Sequence, residues 1–346
     1  MKRQKRGNMK YLVIGAGGTG GPIGGFLTKA GKDVTLIARG EHLNKMQTEG
    51  LKFDTPEGCY TVAPIRACTM EEYQEKPDVI FVCVKGYSLE DTIPFIRRVA
   101  GSDTIAIPIL NIYGTGGRLQ QSLPEIPVTD GCIYIAAEIK EPGELLMSGK
   151  IFRVVYGLRK GTDPELAEKI MPVLKQVKSD LEESGIDVIF SGQIEKDALQ
   201  KFSFVSPMAE LGAYYNVPAF AFQAKGQMRS SFIAMMRELK ELSDAMGVGL
   251  PENIEEINLN ILDNLAPNAT ASMQRDIRDG KQSEIDGLVF EVIRLGKQYG
   301  VETPSRARIK VWEAVKSQAT SRLRFLITKM RSSWGMRFPN AAQAFP

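Results

Sequence analysis

Hydrophobic and polar positions along the chain change their rhythm once, near residue 191. Before that point, short apolar runs alternate with segments of helical spacing. Residues 11–14 and 34–38 read as strands on either side of a helix at about 20–30. The runs DVIFVCV at 78–84 and TIAIPIL at 104–110 are continuously apolar, the pattern of strands covered on both faces. A helix is expected between them at 88–99. Strands alternating with helices predict an α/β fold with a doubly wound parallel sheet. Residues 131–138 and 151–157, joined by the turn Glu141-Pro142-Gly143-Glu144, read as an antiparallel extension. A helix at 164–184 and a strand at 186–190 close this domain.

After 191 the spacing is helical, with segments near 194–215, 223–247, 252–265 and 283–300 and a further one at about 306–317 behind Pro304. The organisation expected is a nucleotide-binding domain at 9–191 followed by an all-helical C-terminal domain at 192–318. No flexible linker stands between them, so the two are expected to pack with a cleft between them. Residues 1–8 read as a disordered extension, with Met9 an alternative start. The tail at 319–346 is basic (Arg322, Arg324, Lys329, Arg331, Arg337) and reads as a terminal helix with a frayed end.

Composition narrows the function. The chain has 346 residues, 43% hydrophobic and 25% charged, with a net charge of +3. That is a soluble globular composition with no basic excess to suggest a nucleic-acid partner. Glycines from Gly15 to Gly21 break the apolar run that follows the basic start, so no leader peptide is expected, and no stretch is long enough to span a membrane. Cys59, Cys68, Cys83 and Cys132 form no CxxC pair, so neither a metal site nor a disulfide framework is expected, and a cytoplasmic location is. His42 is the single histidine. Histidine-based hydrolysis and zinc chemistry would all have to use it, and it reads instead as a surface loop residue.

The segment K-Y-L-V-I-G-A-G-G-T-G supplies Gly15, Gly17 and Gly20 as G-x-G-x-x-G, with Gly18 and Thr19 completing the turn. It follows an apolar strand, opens a helix and leads to a second strand, which makes it a Rossmann-type dinucleotide fingerprint. The first glycine permits the turn, the second admits the pyrophosphate, and the third lets helix and strand pack closely. The second strand ends Leu36-Ile37-Ala38-Arg39-Gly40. An acidic residue there would suit the ribose hydroxyl of NAD, whereas a guanidinium suits the 2′-phosphate of NADPH. NADPH is the expected cofactor, although Glu41 follows closely and Arg39 could simply cap the strand in solvent. Lys85 and Asn111 follow the next two strands, where ligands of open α/β sheets gather. Lysine is then the available proton donor for carbonyl reduction. Lys201 lies in an otherwise apolar helical segment, where it either snorkels or serves the chemistry. Ser272 and Glu284 stand further on in S-M-Q-R-D-I-R-D-G-K-Q-S-E-I-D. Glu284 could favour a helix dipole or pair with Lys201.

In the order of these features the chain resembles the ketopantoate reductases (2-dehydropantoate 2-reductases) over about 9–316. The shared pieces are G-A-G-G-T-G, the lysine after the third strand, the strand-end asparagine, E-P-G-E, the lysine that opens the helical domain, and S-M-x-x-D with E-I-D. The resemblance implies NADPH-dependent reduction of a 2-oxo acid, with ketopantoate to pantoate in pantothenate biosynthesis as the reaction. It also implies roles: Lys201 as general acid, Glu284 as the carboxylate that positions it, Ser272 and Asn111 at the substrate. Gly15, Gly17, Gly18, Thr19, Gly20, Arg39, Lys85 and Asn111 fall on cofactor positions, and no metal is implied. The chain departs from the pattern at Val205 and Ala209, where asparagines are expected, and at Asn111-Ile112-Tyr113-Gly114, where the family has N-G. Two alternatives stay open: a reductase of a less polar or larger 2-oxo acid, and a non-catalytic NADP(H)-binding sensor. A homodimer through the helical domain is compatible with either.

Overall fold

The computed structural model describes residues 9–306. The chain opens with β1 (Lys10–Ile14), α1 (Gly20–Lys29), β2 (Asp33–Ile37) and α2 (Gly40–Glu49). A hairpin follows, β3 (Leu51–Thr55) and β4 (Gly58–Val62), then the short β5 (Ala67–Cys68) and β6 (Val79–Val82). Next come α3 (Leu89–Val99), β7 (Ile105–Pro108) and α4 (Thr115–Ser122). The long strands β8 (Asp130–Glu141) and β9 (Glu144–Gly157) precede α5 (Pro164–Glu183) and β10 (Asp187–Phe190). The helical half holds α6 (Ile194–Tyr215), α7 (Phe220–Gln223), α8 (Gln227–Ala245), α9 (Ile254–Asp263), α10 (Ser272–Arg278) and α11 (Glu291–Tyr299), with a π-helical turn at Asp286–Phe290 before the last.

The expected parallel sheet is present, in the order β5-β2-β1-β6-β7 with every pair parallel. Alternation along its strands explains their continuous apolar runs. Tyr11, Val13, Phe81, Ile105 and Ile107 face one buried cluster, while Leu12, Ile14, Ile80, Val82 and Ala106 face another. Each such side chain contributes about 1.5–3 kcal/mol on full burial. Tyr11 also donates a 2.5 Å hydrogen bond to Asp180, which accepts a second from Lys32, so α5 is tied to β1 through a buried carboxylate. The start of α5 is conventional: Asp163 accepts from the Leu166 amide, and Pro164 occupies the first turn.

The antiparallel extension at 131–157 is also present, but it belongs to a second five-stranded sheet that sequence pattern alone did not reveal. β9 pairs antiparallel with β8 along its length, parallel with β3 at its start and parallel with β10 at its end. β4 completes the sheet beside β3. These two strands escape detection because β4 is largely exposed and β3 buries only Leu51 and Phe53, leaving little periodicity. The Glu141–Glu144 turn has a structural role. Glu144 is buried and takes ion pairs from Lys52 at 2.5 Å and Lys140 at 2.8 Å, fastening the β8–β9 turn to β3.

The chain divides into two compact units between Phe202 and Ser203, inside α6, further along than the expected 191/192. Packing is the reason: Ile194 joins Cys132 and Val155 in a buried cluster, so the first turns of α6 belong with the strands. The second unit is helical. Phe222, Phe232, Met235, Leu239, Leu242 and Val292 are buried in it, and Phe232 meets Phe204 edge to face. Arg306 is fully buried there and donates to Ser206 at 2.8 Å while pairing with Glu210. Residues 1–8, nearly all of the expected helix at 306–317, and the tail at 319–346 lie outside the described residues.

Candidate active site

Each glycine of the turn answers a different steric demand. Gly15 has φ +98°, and a Cβ there would stand 2.9 Å from the Cys83 carbonyl oxygen. A Cβ on Gly20 would lie 2.1 Å from the Gly15 carbonyl and 2.8 Å from the Val13 and Cys83 side chains. Only glycine lets α1 start this close to β1 and β6. Gly18 passes Ala137 of β8 so closely that a Cβ would meet its carbonyl at 2.3 Å. Gly17 is different, for a Cβ there meets nothing within 4 Å. The backbone is open on that side, as approach by a ligand requires. Thr19 precedes the first residue of α1, and no acidic side chain in that helix's first turn offsets the positive end of its dipole. A dinucleotide pyrophosphate fits these features.

Two further positions lie at the carboxyl ends of the parallel strands, as the topology requires of a ligand site. Arg39 is exposed, in extended backbone, between β2 and α2. Lys85 is half-buried beyond β6, at the head of a single turn, Gly86–Ser88.

Asn111 stands in the loop after β7, and its side-chain oxygen accepts a 2.6 Å hydrogen bond from the Lys201 ammonium. Lys201 belongs to the part of α6 that packs with the first unit, so this pair is formed within one unit. The Lys201 nitrogen also lies 5.7 Å from the centre of the Tyr134 ring on β8. It does not simply snorkel to water. Burial pushes the neighbouring Cys132 thiol up to about 11, with the Lys201 charge pulling the other way. Beside the same loop, Tyr113 packs against Phe202 at 6.2 Å between ring centres. At the start of β8, Asp130 accepts from the Gly116 amide at 2.8 Å, and burial raises its carboxyl to about 6. Tyr134 and Asp130 were not foreseen, because neither carries a sequence signal apart from its strand.

Ser272 and Glu284 lie in the second unit. Ser272 is the first residue of α10 and half-buried. Glu284 is buried and precedes the π-helical turn, accepting through its carbonyl from the Leu288 amide. Ser206 of α6 donates to the Leu288 carbonyl at 2.7 Å, which holds that widened turn in place. The expected helix at 283–300 is present, running without interruption from residue 285 to Tyr299 with this π-helical turn inside it. Val205 and Ala209 follow Lys201 at helical spacing on one face of α6; Val205 is half-buried and Ala209 fully so.

His42 is not the surface loop residue expected. It is half-buried on α2, 3.0 Å from the Ala16 carbonyl oxygen through Nε2, and it accepts the Gly143 amide at Nδ1, also at 3.0 Å. The signal missed is its spacing behind Arg39, which puts it on the first turn of the helix that faces the glycine loop. Among the described residues no cluster of three or more His, Cys, Asp or Glu side chains could hold a metal ion, and no helix is long and apolar enough to cross a membrane.

A parallel sheet of this order, with a glycine turn after its first strand and a helical second unit, places the protein in the Rossmann-type class. Family models sharpen that: "Ketopantoate reductase PanE/ApbA" matches residues 11–161, and its C-terminal counterpart matches 193–311. The chain belongs to the ketopantoate reductase family of oxidoreductases. It is similar to the uncharacterized oxidoreductase YkpB of Bacillus subtilis, 27% identical over 89% of this chain and all of that one. Among solved structures it resembles 2-dehydropantoate 2-reductase from Methylococcus capsulatus, with TM-score 0.78 and 23% identity over 91% of this chain and 98% of that one. A ternary structure of D-mandelate dehydrogenase with NADH and anilino(oxo)acetate also gives TM-score 0.78, at 22% identity over 86% of this chain and 95% of that one.

Proposed function

We propose that this protein reduces a 2-oxo acid to the 2-hydroxy acid with NADPH, and that ketopantoate is the first substrate to test. The observation that carries the reading is the Lys201–Asn111 hydrogen bond at the carboxyl end of the sheet that bears the glycine turn. A bound reduced nicotinamide supplies the hydride. The protein's own part is to hold a charged donor where the carbonyl oxygen gains negative charge. Lys201 is that donor: Asn111 accepts one of its protons and fixes its direction, leaving another for the oxygen. Its charge stabilises the oxygen before the proton moves. Ser272 and Glu284 are assigned to the substrate and to the positioning of Lys201 on the strength of the family motif that both occupy.

The open face at Gly17, the positive start of α1 and the exposed Arg39 support NADPH as the cofactor. All four cysteines are free thiols, in keeping with a cytoplasmic enzyme. Assembly as a homodimer is part of the same proposal, and a mass in solution twice that of the chain is the result expected of it.

A second reading concerns the substrate alone. Val205 and Ala209 replace expected asparagines on the face of α6 that carries Lys201, and Tyr113 and Phe202 stand beside the Lys201–Asn111 pair. The loss of two amides favours a less polar 2-oxo acid, because a site lacking amide donors loses its discrimination for a hydroxylated one. The D-mandelate dehydrogenase of the same fold, whose ternary structure holds NADH and anilino(oxo)acetate, is a precedent.

One assay separates these readings: NADPH oxidation with ketopantoate and a panel of aliphatic and aromatic 2-oxo acids, for wild type and Lys201→Ala. Ketopantoate turnover lost in the variant supports the first. Turnover of other acids alone supports the second. Tight NADPH binding with no turnover at all would overturn both and leave a sensor.

A further inference from the structure

The single histidine does no chemistry in the reaction proposed above, yet it touches the cofactor turn directly. We infer that His42 is a positioning residue for the dinucleotide, locking the Ala16–Gly17 peptide of the glycine turn by clamping it to the β8–β9 turn. The inference rests on the proposal that this turn binds a dinucleotide.

The hydrogen bonds fix the state of the ring. Gly143 donates its amide to Nδ1, so that nitrogen carries no proton, and Nε2 must be the one that donates to the Ala16 carbonyl. His42 is thus neutral and held in one tautomer. Burial acts in the same direction, lowering its pKa below the ordinary histidine value.

Both ends of the strut are anchored. α2 is seated by buried Leu43 and Met46, which fixes the histidine's own backbone. Gly143 has φ +80°, its carbonyl accepts from the Lys52 amide at 2.9 Å, and its neighbour Glu144 is ion-paired to Lys52 and Lys140. A side chain at 143 would meet the Lys45 Cβ at 2.7 Å, so the approach of this turn to α2 also depends on glycine.

The consequence falls on the peptide that matters for an anion. The amides of Gly15 and Ala16 both donate to the Ile37 carbonyl. The next peptide plane joins Ala16 to Gly17. In a trans peptide the C=O and N–H point in opposite directions, so a held Ala16 carbonyl dictates where the Gly17 N–H points. Gly17 is the residue of the turn at which an added Cβ would meet nothing within 4 Å. Were this plane to turn over, it would present a carbonyl oxygen to the phosphates in place of a donor, and a repulsive contact would replace an attractive one.

The test uses the full-length chain and NADPH as probe. Dissociation constants are measured by NADPH fluorescence for wild type, His42→Phe and His42→Gln, with thermal melting in parallel. Phenylalanine fills the space without either bond, whereas glutamine carries one donor and one acceptor. The expected result is an increase in Kd of about tenfold or more for His42→Phe, and recovery of most of it in His42→Gln. In turnover the loss should fall on KM for NADPH and not on KM for the 2-oxo acid. If His42→Phe does not fold, His42→Met provides the variant without bonds. Binding within twofold of wild type in the variant lacking both bonds overturns the inference. So do equal losses in both variants that track a lowered Tm, since these mark simple packing. Wild-type protein that binds neither NADPH nor NADH overturns the dinucleotide reading itself, and this role with it.

Discussion

Lys201 of α6 donates a 2.6 Å hydrogen bond to the side-chain oxygen of Asn111, a residue 90 positions earlier in the chain. The amide oxygen accepts one of the ammonium protons and fixes its direction while adding no charge of its own. A proton donor that must also stabilise a developing alkoxide needs that combination.

The first prediction concerns this pair. Lys201→Ala should lower kcat about 10²–10⁴-fold, the usual scale for loss of a general acid. Asn111→Ala, which leaves the ammonium present but unaimed, should cost less. Steady-state rates at saturating NADPH measure both, and an Asn111→Ala loss larger than that of Lys201→Ala would reverse the assigned roles.

Cofactor choice is read at Arg39. Removing a charge-assisted, forked contact costs roughly 1.5–3 kcal/mol. Arg39→Ala should therefore raise KM for NADPH by about ten- to a hundredfold while changing KM for NADH little. Equal effects on both cofactors would mean that the guanidinium does not meet the 2′-phosphate.

Two glycines of one motif should fail in different ways. Gly20→Ala forces a Cβ to 2.1 Å from the Gly15 carbonyl, and that backbone has no room to yield. A loss of stability of about 1–3 kcal/mol is expected, visible as a lower Tm. Gly17→Ala meets no protein atom within 4 Å, so melting should barely change while NADPH affinity falls. Paired melting and binding curves distinguish the two.

Asp130 gives a pH signature. Burial raises its carboxyl to about 6, whereas an unfolded aspartate titrates near its ordinary value of 3.8. Between those values the folded state binds more protons than the unfolded, so this group's contribution to stability declines as pH rises from about 4 to 6 and then levels off. Asp130→Asn can keep the Gly116 hydrogen bond and should remove that decline, leaving the variant more stable at pH 7 by on the order of 2 kcal/mol. The Arg159 contact that it weakens is long, at 3.6 Å, and offsets little of this gain. Denaturant titrations at pH 4.5 and 7 provide the check, and an unchanged pH slope would count against it.

The sequence by itself determined whatever is written in local periodicity or steric exclusion. The strands at 78–84 and 104–110 announce burial on both faces, and those containing them lie in the parallel sheet as expected. The glycine turn was legible as G-x-G-x-x-G between an apolar strand and a helix, although the groups that crowd Gly15 and Gly18, at Cys83 and Ala137, lie far along the chain. The helix at 194–215 was read to the residue, since apolar spacing over so long a segment leaves little choice. Pairing and close approach were decided only by the tertiary structure. β3 and β4 carry too few buried residues to show a pattern, and they become strands because β9 offers an edge to β3 and β3 offers one to β4. The π-helical widening before α11 lies where Ser206 donates to the Leu288 carbonyl, a contact between residues 82 positions apart. His42 looked like a solvated loop residue because its partners, Ala16 and Gly143, are brought to it from opposite directions along the chain. Hydrogen bonds of that range leave no periodic trace in a sequence. In the same way, Lys201 could be named from its segment, but its bond to Asn111 depends on how α6 packs against the loop after β7.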